Sequence, residues 1–367
     1  MEAAVQRFGA RPRRRKDLIS CLLILDVLIM HSPVYLAICA ATLVGLLIIG
    51  TPDLNSMVFA SAMAIAVLGV PHGGLDHWTG RRLLHSRFVD GWWIVFFPVY
   101  LFVGLVFAVG WFVIPTITVV SFFLISAWHF GREDQRANPQ SEIASRTRQV
   151  LGHIFATALG GLVIWVPAIA RPEEMQSLLS LIVPANGVEP VNRIFEVTRF
   201  IAVCLIPLAT LIVIARLIKS PRDCNRWVPL ATAAIAIYMP ILISFSIYFC
   251  GWHSWQGLQR LRQDESLTAG QFVRCVSPLS IAAIIGVAAA GLWLQGWSAE
   301  LLPERQTFSS LRTVFIGLSA IAVPHLLLHE FDLHSRTALR VVNHNADYHN
   351  SESCVTVPPH SQHQVCT

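Results

Sequence analysis

Histidine beside apolar runs is where the chemistry of this chain concentrates. His72, Asp76 and His77 stand in Pro71-His72-Gly73-Gly74-Leu75-Asp76-His77-Trp78, directly after the run 57–70. His129 closes a second apolar run and leads into Arg132, Glu133 and Asp134. His253 belongs to Tyr248-Phe249-Cys250-Gly251-Trp252-His253-Ser254. His325 and His329 belong to Val323-Pro324-His325, followed by Leu326, Leu327, Leu328, His329, Glu330 and Asp332. Ionisable groups at membrane depth are costly and mark sites by default. Imidazole suits iron, zinc and copper, and bundles build metal sites from side chains on facing helices. A shared metal centre is the chemistry the four clusters point to. His325 and His329 lie four residues apart, on one helix face, and are candidate ligands as a pair. Single histidines near span ends (His31, His85, His153) and those of the polar tail (His344, His349, His360, His363) read as solvated or interfacial residues.

Carboxylates accompany two clusters. A ligating histidine normally donates its other N–H to a carboxylate or carbonyl. Asp76, four residues after His72, shares its face if the helix continues, and Asp134 follows His129 by five. Both are expected to orient a ligand, or else to cap a helix or pair with Arg81 and Arg132 as ordinary surface ion pairs do. Gly73-Gly74 is no phosphate loop, because no Lys-Ser/Thr follows, and neither a G-x-S-x-G elbow nor a dinucleotide fingerprint is present. Apolar surroundings favour a lipid-soluble substrate and redox or oxygen chemistry over hydrolysis.

Long helices must position these groups. The 367 residues are 54% hydrophobic and only 13% charged, with a mean hydropathy of +0.58; a soluble domain carries about 25% charged residues. Continuous apolar runs indicate an all-α, polytopic transmembrane bundle. Candidate spans lie near 54–71, 91–113, 115–130, 149–170, 198–219, 228–250, 274–295 and 310–328. An N-terminal signal anchor within 18–50 brings the expected number to about eight to ten. The net charge of +5 sits mainly in Arg11–Lys16 and in short loops, as positive-inside topology requires, and nucleic-acid binding is not implied. Basic loops after the first, third and fifth core spans share one side with a cytoplasmic N-terminus. The chain divides into a basic tail plus anchor (1–53), a membrane catalytic domain (54–333) and a disordered polar tail (334–367). Eight cysteines form no C-x-x-C pair and read as small buried hydrophobes. Strict alternation puts His72 and His129 towards one face of the membrane and His253 and His325 towards the other. One metal requires a common depth.

Four segments, in order and spacing, carry a family resemblance: PHGGLDH at 71–77, WHFGRED at 128–134, YFCGWHS at 248–254 and VFIGLSAIAVPH at 314–325. Over about 54–333 the chain resembles the Brp/Blh family of membrane-bound beta-carotene 15,15'-dioxygenases. The resemblance implies a helical membrane enzyme holding Fe(II), a non-haem iron, by four histidines. It implies cleavage of the central 15,15' double bond of beta-carotene with O2 to give retinal. His72, His129 and His253 match the first three ligands. The segment of His253 reads H-S-x-x-H in the family, and here Gly257 stands where the fourth histidine is expected. Three histidines with open positions still suffice for Fe(II), or His325 or His329 substitutes, or the departure means an altered substrate or lost activity; in an impaired chain Gly257→His should restore it. Trp128, Phe130, Phe249 and Trp252 flank the matched ligands and are expected to pack along the polyene, unless they are core aromatics. Expected partners are a carotenoid or other lipid-soluble polyene, O2, membrane lipid and a retinal-using membrane protein, with the enzyme in the cell membrane. Two other classes stay open. A di-iron hydroxylase or desaturase would use His72/His77 and His325/His329. A carotenoid- or retinoid-binding membrane protein would have lost catalysis.

Overall fold

A computed structural model describes residues 32–135, 146–183, 188–299 and 309–353, and every regular element among them is helical. The basic tail and the first part of the expected anchor lie outside the described residues. Fourteen α-helices of six residues or more organise the described residues. They are α1 (Ser32–Ile49), α2 (Leu54–Ala64), α3 (Asp76–Phe88), α4 (Trp92–Val113), α5 (Pro115–Gln135), α6 (Arg146–Gly160) and α7 (Leu162–Ala170). There follow α8 (Pro172–Ile182), α9 (Val188–Lys219), α10 (Val228–Tyr238), α11 (Ile241–Ser246), α12 (Trp255–Asp264), α13 (Ala269–Ala299) and α14 (Ser309–Ser353). The last helix therefore runs into the polar stretch expected as a tail. Asp53 caps α2, and the Ser56 hydroxyl and backbone N–H it accepts hold its carboxyl below the usual range.

Among the described residues five helices are long and apolar enough to cross a membrane, or six if the bent pair Gln149–Gly160 and Leu162–Ala170 is one span. This tally is smaller than the expected eight to ten because two candidates merge into one run, 149–170 is bent, 228–250 is broken, and the unbroken α5 is not counted. The run Leu54–Val113 counts once, although it contains the turn at 73–75 and a 3-10 turn at Val89–Gly91. The stretch 228–250 breaks where Met239 and Pro240 are both extended, since a residue before proline is pushed out of the α region. The Ile241 N–H beyond the break donates to Glu174 Oε1 at 2.7 Å. The bend of 56° in the pair falls at Gly160-Gly161. A Cβ on Gly160 would lie 2.1 Å from the Gly131 nitrogen, and one on Gly131 would lie 1.9 Å from the Ala156 carbonyl oxygen. Only glycines let α5 and α6 approach this closely, as small residues do between membrane helices.

The outward surface is apolar. Leu47, Leu101, Phe200, Leu211 and Leu292 are between 66% and 78% exposed, which suits lipid chains and not water. This is a helical integral membrane protein. Inside, Tyr35, Trp111, Trp165 and Phe195 are fully buried, and polar links tie distant helices. Trp111 Nε1 donates to Ser319 Oγ at 2.9 Å, from α4 to α14. Tyr35 and Thr232 share a hydrogen bond of 2.9 Å between α1 and α10. Among the described residues Cys39, Cys204, Cys224, Cys250 and Cys275 are free thiols.

Candidate metal centre

Four imidazoles from four separate helical segments close into a ring. Centroid separations run 5.3 Å from His72 to His253, 5.2 Å from His253 to His129, 5.8 Å from His129 to His325 and 5.0 Å from His325 back to His72. All four contacts are edge-on. Ligand atoms of His72, His129 and His325 lie within 4.8 Å of one another. The histidines expected at opposite ends of their spans therefore share one depth. The reason lies in the breaks. His72 ends a segment that turns immediately at 73–75, and His253 follows the interruption at Met239-Pro240. Two π-helical segments, Ile65–Gly69 and Ile247–Ser254, pack against each other behind these histidines. Such bulges are frequent at functional sites because they re-aim side chains out of α register.

The site fits a metal by the condition of its nitrogens. His72 and His129 are buried, and neither ring nitrogen of either makes a hydrogen bond to the protein; the same holds for Nδ1 of His253. Buried polar atoms are nearly always satisfied, and a group of exceptions calls for an explanation. Neutral imidazoles converging with their lone pairs uncommitted are what a first-row metal takes up. Metal–nitrogen bonds of about 2 Å would require His72, His129 and His325 to draw together from the 4.8 Å within which their ligand atoms lie.

Carboxylates serve the histidines of other helices. The helix after His72 does not continue: the chain turns, and Asp76 starts α3. Its carboxylate accepts from His325 Nδ1 at 2.8 Å and 2.9 Å, and from the Tyr100 hydroxyl at 2.7 Å. Asp76 thus pairs with His325 and not with His72, four residues before it. Asp134 accepts from the Tyr248 hydroxyl at 3.0 Å and lies 3.9 Å from His253 Nδ1; it pairs with neither His129 nor Arg132. Neither tyrosine stands out in the sequence, because a tyrosine in a membrane helix ordinarily marks an interface. Ion pairs fix the register of α14. Arg82 reaches Asp332 at 3.0 Å and 3.2 Å, and Arg132 reaches Glu330 at 3.5 Å. Arg260, also unremarked in the sequence, donates to Glu133 at 3.1 Å and to its carbonyl at 2.6 Å.

His72, His129, His253 and His325 all open onto an apolar cavity of about 100 Å³, walled by residues such as Phe122, Ile164, Leu179, Phe245 and Phe315. Of the four expected substrate-lining aromatics, Phe130 and Phe249 line it. Trp128 instead donates its indole N–H to His153 at 2.9 Å, and Trp252 packs on Tyr35 with centroids 5.3 Å apart. His329 lies outside the cavity lining, 4.8 Å from His325 and 6.3 Å from His129 between centroids, and groups with Asp76 and His325. His77 and His253 belong to neither group of ligand atoms found among the described residues. Gly257 is packed against the site: a Cβ there would lie 1.8 Å from His72 Cε1 and 2.2 Å from Nδ1.

Comparison with known proteins places this arrangement. The chain is similar to a beta-carotene 15,15'-dioxygenase of uncultured marine bacterium 66A03, 28% identical over 287 residues, 74% of this chain and 92% of that protein. It is similar to a probable beta-carotene 15,15'-dioxygenase, Blh, of Halobacterium salinarum, 25% identical over 292 residues, 73% of this chain and 82% of that one. No solved structure matches it. The family described as Beta-carotene 15,15'-dioxygenase matches residues 63–331, a stretch that takes in all four histidines and the cavity they open onto. The chain belongs to this family of oxidoreductases.

Proposed function

We propose that the protein cleaves beta-carotene, or a related carotenoid, at its central 15,15' double bond with O2 to give retinal. His72, His129 and His253 hold a non-haem Fe(II) for this reaction. The observation that carries the reading is the convergence of buried imidazoles on an apolar cavity, those of His72 and His129 without hydrogen bonds. When bound, iron supplies the site at which O2 is activated beside the polyene. The chain's own residues do the rest. Phe122, Phe130, Phe249 and Phe315 bury the polyene, and the gain grows with the apolar area removed from water. The same walls exclude water, which protects the aldehyde-forming chemistry from side reactions. Residues 54–333 form the catalytic domain, the N-terminus is cytoplasmic, and the enzyme sits in the cell membrane, where a retinal-using membrane protein takes up the product.

Expression in beta-carotene-producing bacteria tests this. Bleaching of the cells with retinal in the extract is expected. Unchanged pigment despite membrane expression overturns the reading. His72→Ala should leave the cells coloured, and bleaching by this variant at the normal rate removes His72 from the site.

A further inference from the structure

The position that breaks the H-S-x-x-H pattern is occupied in space by another ligand. Gly257 is buried in the second turn after His253, and the volume a side chain would fill there belongs to the His72 ring. A histidine at 257 cannot coexist with His72 where it stands. Meanwhile a fourth imidazole closes the ring from the opposite helix. His325 lies 5.0 Å from His72 and 5.8 Å from His129 between centroids, and its ligand atom groups with theirs. Its side chain is pre-oriented. Asp76 accepts from Nδ1, which fixes the tautomer with the lone pair on Nε2, and Tyr100 donates to Asp76 in turn. Tyr100, Asp76 and His325 come from α4, α3 and α14. The register of α14 is held independently by the Arg82–Asp332 and Arg132–Glu330 pairs.

We propose that the fourth ligand of this chain is His325, held by Asp76 and Tyr100, and that it replaces the side chain missing at Gly257. The ligand has moved from the helix of His253 to α14, and Gly257 is the space that lets His72 adjust to it. This rests on the iron reading above. Gly257→His is accordingly expected to impair the protein, contrary to the expectation from sequence that it would restore an impaired enzyme.

Iron per chain in detergent-purified protein is the readout, with expression level and thermal unfolding as folding controls. Wild type should carry about one iron, and His72→Ala almost none. His325→Ala should lose iron as fully as His72→Ala. Asp76→Asn, which keeps the shape of the side chain, should weaken retention against a chelator by about 10–100-fold, as loss of a ligand's carboxylate partner does. Gly257→His and Gly257→Ala should both lower iron content. Wild-type iron in His325→Ala, with none in His72→Ala, overturns the proposal and leaves the iron reading standing. So does a gain of iron in Gly257→His, or a loss in His329→Ala that His325→Ala does not share. Wild-type protein without iron sinks the reading on which the proposal rests. If His325→Ala fails to fold, Asp76→Asn and Gly257→Ala decide: normal chelator resistance in both overturns it.

Discussion

Tyr100–Asp76–His325 and Tyr248–Asp134–His253 contain the same three residue types in the same order, on opposite sides of the histidine ring. In the first set the carboxylate meets the imidazole at 2.8 Å; in the second the gap is 3.9 Å. Asp76 is 8% exposed in its side chain, whereas Asp134 is 24% exposed. A buried carboxylate with two donors is held tightly and transmits orientation to its histidine. A carboxylate that water reaches is screened and holds its neighbour more weakly. The difference separates a ligand that is pre-aimed from one that has to be drawn in. His325 has its tautomer fixed by Asp76, whereas His253 has Nδ1 uncommitted in a π-helical segment.

The largest effects break the comparison at the imidazoles. His253→Ala and His325→Ala should each abolish bleaching of carotenoid-producing cells, because each removes one of the four rings. Persistent bleaching in His253→Ala would make the second set a support for the wall of the cavity and nothing more. The carboxylates come next. Asp76→Asn leaves His325 with an amide that cannot take its Nδ1 proton as strongly, and iron affinity should fall about 10–100-fold. Asp134→Asn touches no hydrogen bond to His253 and should cost less than about ten-fold, the lower end of that range. Chelator competition on purified protein measures both. Equal losses would show that the 3.9 Å gap closes when metal binds.

Much of this was legible in the chain and some was not, for identifiable reasons. The apolar runs announce the helical membrane class, because hydropathy needs no tertiary information. His72, His129, His253 and His325 are visible as histidines beside those runs. Their common depth is not visible, because it depends on breaks at 73–75 and at Met239-Pro240 that shift each residue away from its span end. The partners of Asp76 and Asp134 cannot be read from spacing, since spacing predicts a shared face only while a helix continues. Asp76 pairs across 249 positions of sequence, which no local pattern encodes. Gly257 is the sharpest case. As a letter it is a missing ligand, and in space it is the room that the His72 ring requires.

The smallest effects come from the tyrosines, and they distinguish positioning from stability. Tyr100 donates at 2.7 Å to a carboxylate with almost no access to water, and a hydrogen bond to a charged group contributes about 1.5–3 kcal/mol. Tyr100→Phe removes that donor but leaves Asp76 its bond to His325, so only part of the orientation is lost. About a ten-fold weakening of iron retention is expected, the lower end for a group outside the ligand shell. Tyr248→Phe leaves Asp134 accessible to water, which replaces the phenol, so retention should change by less than about two-fold on the scale of an exposed polar contact. Thermal unfolding with and without a chelator checks the cause. If Tyr100 acts through Asp76 and His325, its loss lowers the melting temperature of the iron-loaded protein more than that of the stripped protein. Equal shifts in both forms would reduce Tyr100 to a strut between α4 and α3, and the two sets would then differ only in distance.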